Sequence, residues 1–295
     1  MKKVFAVLLS IVLVLSLILT CLVSYVTSLA KNPATVISTM QDAFENIDYE
    51  KILADAYAKK GSNVSSEEIA RDAECIRQLI VESRMVSEAL ELYAQDAADA
   101  FAGKNSAPRF NHITFNQLAD KHIDEMANII HQVKPEVNTD MARDSLKAYL
   151  DKNSAKLIND ISPAKLIPAN ERKSVSNVIE LFSTIELILI VVAVVLALLI
   201  YLLRKRRFGG LLWLGVDAAV AGGLLVTGLL AAKEALFSLL ASNNVDPSLM
   251  DSVVSAIVGA LFTSGIILLV LGALLIGAFF VLKFTVVRKK EAARA

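Results

Sequence analysis

The sequence predicts an all-α membrane protein: four transmembrane helices, with a helical-bundle extracytoplasmic domain between the first and the second. Three observations lead there. Hydrophobic residues fill 55% of the 295 positions and mean hydropathy is +0.54, more apolar than soluble domains usually are. Four windows are long enough to span, since a hydrocarbon core ~30 Å thick needs about 20 helical residues at ~1.5 Å each. Finally, three basic clusters fall on one side of a chain that crosses four times: Lys2-Lys3, RKRR at 204–207 and RKK at 288–290. Such clusters stay cytoplasmic. Both termini are therefore expected in the cytoplasm and residues 31–178 outside, in a multi-pass protein of the plasma membrane.

The first element, residues 1–30, reads as a signal-anchor helix. TSLA at 27–30 resembles a cleavage site after Ala30. A signal core is about 7–15 residues, however, and this apolar run is far longer. Ser16, Thr20, Ser24 and Thr27 also recur on one helical stripe. Small and hydroxyl residues at that spacing pack spans against each other, so the helix is expected to be retained.

Residues 31–178 read as helices throughout, with more Asp and Glu than Lys and Arg. Asn32-Pro33 opens one helix as cap and first-turn proline. Asp48 caps a second, which stops at Gly61. Ser65 with Glu68 forms a capping box and opens an amphipathic stretch over 66–102. That stretch is either one elongated helix or a pair broken near Ser83. Gly103 ends it. Thr114 with Gln117 reads as a second capping box, and its helix stops before Pro135. Thr139 starts the next, with Leu146, Tyr149 and Leu150 inward. A last helix from about Asn170 runs on into the second span. No stretch alternates with period two long enough for a strand. Cys75 is alone in this segment and Cys21 lies in the first span, so no disulfide is expected, a usage that fits a bacterial envelope.

The second span covers 179–203, the basic turn 204–207, the third span 208–232, an outer loop 233–252, the fourth span 253–283 and a basic tail 284–295. Asp246-Pro247 is expected to cap the fourth helix. Small residues mark the packing faces: Ala193 and Ala197 on the second span, Gly215, Ala219 and Gly223 on the third, Gly259 on the fourth. Arg204, Lys205, Arg206 and Arg207 form the turn and also suit anionic lipid.

Two carboxylates stand out. Glu186 lies ~9 Å inside the outer boundary and Asp217 ~14 Å in from Phe208, by the helical rise. Charge at that depth is costly, so such residues face protein or water. Ser16 or Ser10 of the first span are the hydroxyls level with Asp217. Thr227, Thr263 and Ser264 are level with Glu186, and with it they make a candidate polar pocket for a ligand or ion. One reading makes the acids interhelical glue; the other makes them a proton or cation relay.

Other motifs carry less. His122 and His131 are nine apart, on opposite faces of a helix, whereas a helical metal pair needs three or four. With His112 they read as surface or half-buried side chains, and no metal or other cofactor is expected. SPAK at 162–165 matches the S-x-x-K nucleophile motif, but S-D-N and K-T-G are missing. Ser162-Pro163 reads instead as a helix start. No phosphate loop or cysteine cluster is present, and no catalytic residue is assigned.

The order of spans and loops resembles that of large-ectodomain ABC permeases of the cell-division type, in layout alone. The amphipathic coupling helix of those permeases has no counterpart in Met1-Lys2-Lys3 or in RKRR. The function expected is that of a non-enzymatic envelope protein whose outer domain binds a protein, cell-wall or membrane partner. The alternative is a small transporter or channel component using Glu186 and Asp217. The partners expected are the lipid bilayer and an extracytoplasmic protein or envelope component. Nucleic acid is not among them, and homo-oligomerisation is left open.

Overall fold

A computed structural model describes residues 2–203, 209–240 and 247–292. All regular structure among them is helical. Four helices are long and apolar enough to cross a membrane, over Phe5–Lys31, Arg172–Leu203, Gly209–Lys233 and Asp251–Thr285. This is the make-up of a multi-pass membrane protein. The chain divides into two compact units: residues 1–27, 180–235 and 257–295, and residues 28–179 with 236–256.

The first unit is the span unit. It holds most of α1 (Lys2–Lys31), α9 (Arg172–Leu203), α10 (Gly209–Leu240) and α11 (Pro247–Ala292). Leu13 of α1 is buried with Ala193, Leu196 and Ile200 of α9, and Trp213 and Leu214 of α10 pack against them. One residue on, Val14 is buried with Ala221 of α10 and Leu268 of α11. Two neighbouring positions of α1 thus reach three partner helices, so α1 is an integral member of the unit. The outward faces are apolar, with Leu187, Leu202 and Leu274 each more than 60% exposed, as lipid-facing side chains must be.

α10 and α11 approach most closely where glycines meet. A Cβ added at Gly222 would lie 2.6 Å from the Gly265 carbonyl oxygen, and one at Gly272 would lie 2.6 Å from that of Gly215. Gly215 and Gly222 are seven apart, as are Gly265 and Gly272, and the antiparallel helices pair them crosswise. Without side chains between, the backbones come close enough for dispersion and weak Cα–H···O contacts. Gly210 does the same against Tyr201 of α9, where a Cβ would meet the backbone at 2.8 Å. Two packing positions read from the sequence, Gly223 and Gly259, differ: a Cβ at either meets nothing within 4 Å. Gly223 is rotated about 100° from Gly222 on the helix, which turns it off the contact row.

The second unit is a helical bundle. Its helices are α2 (Pro33–Glu45), α3 (Tyr49–Lys59), α4 (Ser66–Val81), α5 (Arg84–Phe101), α6 (His112–Val133), α7 (Thr139–Ile161) and the single turn α8 (Pro163–Leu166). Helices α2 to α7 each start at a side chain that accepts from a first-turn amide: Asn32, Asp48, Ser65, Ser83, Asn111 and Asn138. Such caps satisfy amides the helix itself leaves open. Gly61 and Gly103 close their helices at φ +67° and +74°, where other residues are strained.

One alternative is decided here and three sequence expectations change. The 66–102 stretch is broken, at Ser83, whose Oγ caps α5 through Met85 N while Glu125 of α6 accepts from Arg84 N at 2.9 Å. The Thr114–Gln117 box is not the start of α6: Asn111 sits three residues earlier and accepts from both Ile113 N and Thr114 N at 3.0 Å. Tyr149 points outward, 58% exposed, while Leu146 and Leu150 pack on the core. The segment 233–252 is largely helix where described, since α10 runs to Leu240 and α11 begins at Pro247. Asp246 lies outside the described residues.

Candidate functional site

The acids and hydroxyls of the spans come first. Asp217 is buried, 4% exposed, beside Ala218 and Ala221 on α10. Glu186 is half-buried on α9. The hydroxyls expected level with Glu186 bond within their own helices. Thr227 Oγ1 donates to Gly223 O at 2.8 Å, Thr263 Oγ1 to Gly259 O at 3.1 Å and Ser264 Oγ to Ala260 O at 3.5 Å. Thr20 and Thr27 of α1 likewise donate to Ser16 O and Val23 O. Each hydroxyl is satisfied one turn back on its own helix, the local bond Ser and Thr favour when no better acceptor is near. Thr227 and Thr263 are exposed. Among the described residues, no hydrogen bond joins Glu186 to Thr227, Thr263 or Ser264. Ser10 Oγ is buried without a hydrogen bond, so it is not the partner expected for Asp217. Arg204, Lys205, Arg206 and Arg207, the candidate lipid contacts, lie outside the described residues.

The bundle carries the more developed site. Between α2, α5, α6 and α7 lies a cavity of about 550 Å³. Met40 and Phe44 of α2, Met85, Val86, Ala89, Leu90 and Tyr93 of α5, and Phe110 and Phe115 form its walls, with Asp160 and Ile161 of α7 at one end. The sequence places these groups together for identifiable reasons. Met85, Ala89 and Tyr93 recur every fourth residue and so share one face of α5. Phe110 precedes the α6 cap and is fixed on both sides. Its amide donates to the buried Asp96 Oδ2 at 2.8 Å, and its ring meets Tyr93 edge-on at 5.5 Å and Phe115 at 6.3 Å between centroids.

Charges hold the frame around the cavity. Arg109 lies 3.2 Å from Asp99, which also takes Lys104 at 2.9 Å. The Lys104 ammonium, aided by Arg109 and Ser106, holds the Asp99 carboxyl below its ordinary range. Asp72 accepts from Tyr57 at 2.6 Å and from Lys134. Burial pushes the Asp72 carboxyl up, but the bonds from Lys134 and Tyr57 and the nearby charges outweigh it and hold it low. Tyr49, 8% exposed, donates to Phe44 O at 2.9 Å, and burial pushes its phenol up to about 12 despite the nearby Arg77.

His122 was misread. It is 8% exposed, with Nε2 3.0 Å from Glu88 and Nδ1 3.3 Å from Glu125. It ties α5 to α6. Glu88 stands 34 positions away, so no local spacing announces the contact. His131 is exposed and bonds the Val137 carbonyl at 2.8 Å, and His112 is exposed. Among the described residues, no group of three His, Cys, Asp or Glu is arranged to hold a metal ion.

The bundle can thus hold an apolar guest within a frame fixed by caps and ion pairs. The chain matches no known protein family, no curated protein and no solved structure.

Proposed function

We propose that this chain is a non-enzymatic, multi-pass protein of the cell envelope, with both termini in the cytoplasm, the α2–α8 bundle outside, and that bundle acting as a binding module. The observation that carries the reading is the apolar cavity of the bundle, about 550 Å³. Ligand sites fall in this size range and are mostly apolar with few polar groups. Its walls offer a guest apolar contact from four helices, with Asp160 the one charged group among them. Orientation rests on the basic clusters of the sequence.

The test has two arms, in a chain with Cys21 and Cys75 replaced by Ser. A membrane-impermeant maleimide applied to intact cells is expected to reach Cys at Ser62 or Ser106 and to miss Cys at Lys205. A photoreactive residue at Ile161, half-exposed on the cavity rim, is expected to capture an adduct in those cells. Labelling at position 205 from outside overturns the orientation; no adduct at Ile161 overturns the binding module. The second reading is a small transporter or channel component using Glu186 and Asp217, and its support is the burial of Asp217. Proton-driven flux in liposomes, lost in Asp217→Asn with folding intact, would favour it.

A further inference from the structure

A second cavity adjoins the apolar one. It is an open recess of about 810 Å³ with a mixed lining, in which Pro108, Phe110 and Ile158 stand beside the polar Asn111, Lys156, Asn159 and Lys165. Phe110 and Asp160 line both cavities. We propose that the pair forms one site for a single-chain phospholipid with an anionic head, its acyl chain in the apolar cavity and its phosphate head beside the lysines of the mixed one. The proposal rests on the binding-module reading above and names the ligand.

Three features argue for this class. The first is the change of chemistry across a shared wall. Met85, Leu90 and Phe115 lie on one side and Lys156, Asn159 and Lys165 on the other, which suits a molecule with two unlike ends. The second is charge. Asp160 is the acid of the site, and Lys165 Nζ holds its carboxylate at 2.9 Å. Lys156 makes no ion pair among the described residues, and the exposed His112 adds a further nitrogen. The balance favours an anion, and lysine ammonium groups bind phosphate as point charges. The third is reach. A free fatty acid ends in a single carboxylate, whereas a phosphoglycerol head carries donors and acceptors for Asn111, Asn159 and Ser162 as well as Lys156.

The source of the ligand is the bilayer in which the chain's own spans lie. An acyl chain that moves from bilayer to cavity exchanges one apolar surrounding for another. The hydrophobic gain therefore nearly cancels. Selection falls to the head, and Lys156 becomes the residue that discriminates.

The test uses the full chain in nanodiscs of zwitterionic phospholipid. The probe is a lysophosphatidylglycerol carrying a diazirine near the end of its chain. After irradiation, adducts are expected on peptides containing Met85–Tyr93 and Phe110–Phe115, together with background adducts on the spans that serve as an internal reference. Ala89→Phe, which fills the cavity, should cut the bundle adducts about tenfold relative to that reference. Lys156→Glu lies on an exposed position that leaves the core intact, and it should cut them severalfold. A choline-headed lysolipid probe should label the bundle more weakly, and so should a diazirine fatty acid. Bundle adducts that are absent, or indifferent to both substitutions, overturn the lipid site. Equal labelling by all three probes overturns the anionic phospholipid. If the Ile161 photoreactive variant captures a protein in cells while the nanodisc arm is negative, the lipid is wrong and the binding module survives. If both arms are empty, both fall.

Discussion

The two units of this chain are both helical, yet they are held together by opposite means. In the span unit, the closest contacts are made where side chains are missing, at Gly215, Gly222, Gly265 and Gly272. Water is not expelled when apolar helices meet in lipid, so backbone approach and dispersion take over. In the bundle, side chains carry the load: six N-caps, aromatic edges around Phe110, and ion pairs such as Asp99–Lys104. Polar groups follow the same division. Thr20, Thr227 and Thr263 of the spans bond back into their own helices, whereas His122 and Lys121 of the bundle bond across to Glu88. Solvent decides the outcome. Where water competes, a polar bond between helices is an exchange and costs little to leave; in lipid the nearest acceptor for a threonine hydroxyl is the carbonyl one turn back.

The largest effect expected from a single change lies in the bundle. Phe110→Ala removes a ring that is 5% exposed and touches both Tyr93 and Phe115. Large-to-small aromatic changes in cores cost about 3–5 kcal/mol. Hydrogen exchange on the full chain should show α5 and α6 amides losing protection, with the α10 and α11 amides unchanged. Equal loss in both units would break the division between them.

Next comes the glycine contact. Gly222→Val places a side chain 2.6 Å from a backbone oxygen that has no soft way to yield, and overpacking of this kind costs about 1–3 kcal/mol. Gly223→Val, one position on, meets open space and should change stability by only a few tenths of a kcal/mol. The pair is compared by denaturant titration in detergent. Equal effects at 222 and 223 would mean that helix propensity, not close approach, governs the span unit.

These adjacent glycines also mark what the sequence could and could not disclose. Composition and charge made four helices legible, and local chemistry made most starts and stops of the bundle legible, from Asn32-Pro33 to Gly61 and Gly103. Local rules fail where two neighbours compete or where the partner is distant. Gly222 and Gly223 look alike in composition, and only the rotation of α10 against α11 chooses between them. Asn111 and Thr114 are both capping residues, and the earlier one wins because it satisfies two amides at once. His122 is buried by Glu88, and the cavity is lined from four separate helices. Glu186, Thr227, Thr263 and Ser264 share a depth, but depth says nothing of azimuth around each helix, so the sequence alone does not say which of them face one another.

A smaller effect is expected at Tyr49, and it separates the units by pH. Its phenol sits near 12 in the fold, pushed up chiefly by burial, against about 10 in an unfolded chain. The folded state therefore favours the protonated phenol. That contribution is fully present below pH 10 and is lost as pH rises from about 10 through 12. Asp72 and Asp99 act in the opposite window. Their carboxyls are held low, so their contribution is present above the ordinary carboxylate range near 4 and is lost as pH falls below it. Tyr49→Phe should remove the alkaline loss and cost about 1 kcal/mol at neutral pH through the missing bond to Phe44 O. Denaturant titrations in detergent at neutral pH and between pH 10 and 12 read both; an alkaline loss that survives in Tyr49→Phe would assign it to another group.

The smallest effect is expected where the sequence placed a polar pocket. Thr227 and Thr263 are exposed on the span unit, and each donates its hydroxyl to the carbonyl four residues back. That carbonyl already accepts its helical amide bond, so the hydroxyl is its second donor and its removal leaves no backbone group unsatisfied. Valine keeps the shape, removes the hydroxyl and relieves a bond that tends to bend helices. Thr227→Val and Thr263→Val, alone or together, should therefore shift detergent stability by less than about 0.5 kcal/mol. A loss of about 1–2 kcal/mol, the upper range for hydroxyls that bridge membrane helices, would show that these side chains turn inward in the bilayer. The contrast between the units would then fail at its polar half, and a ligand pocket at Glu186 would regain its physical basis.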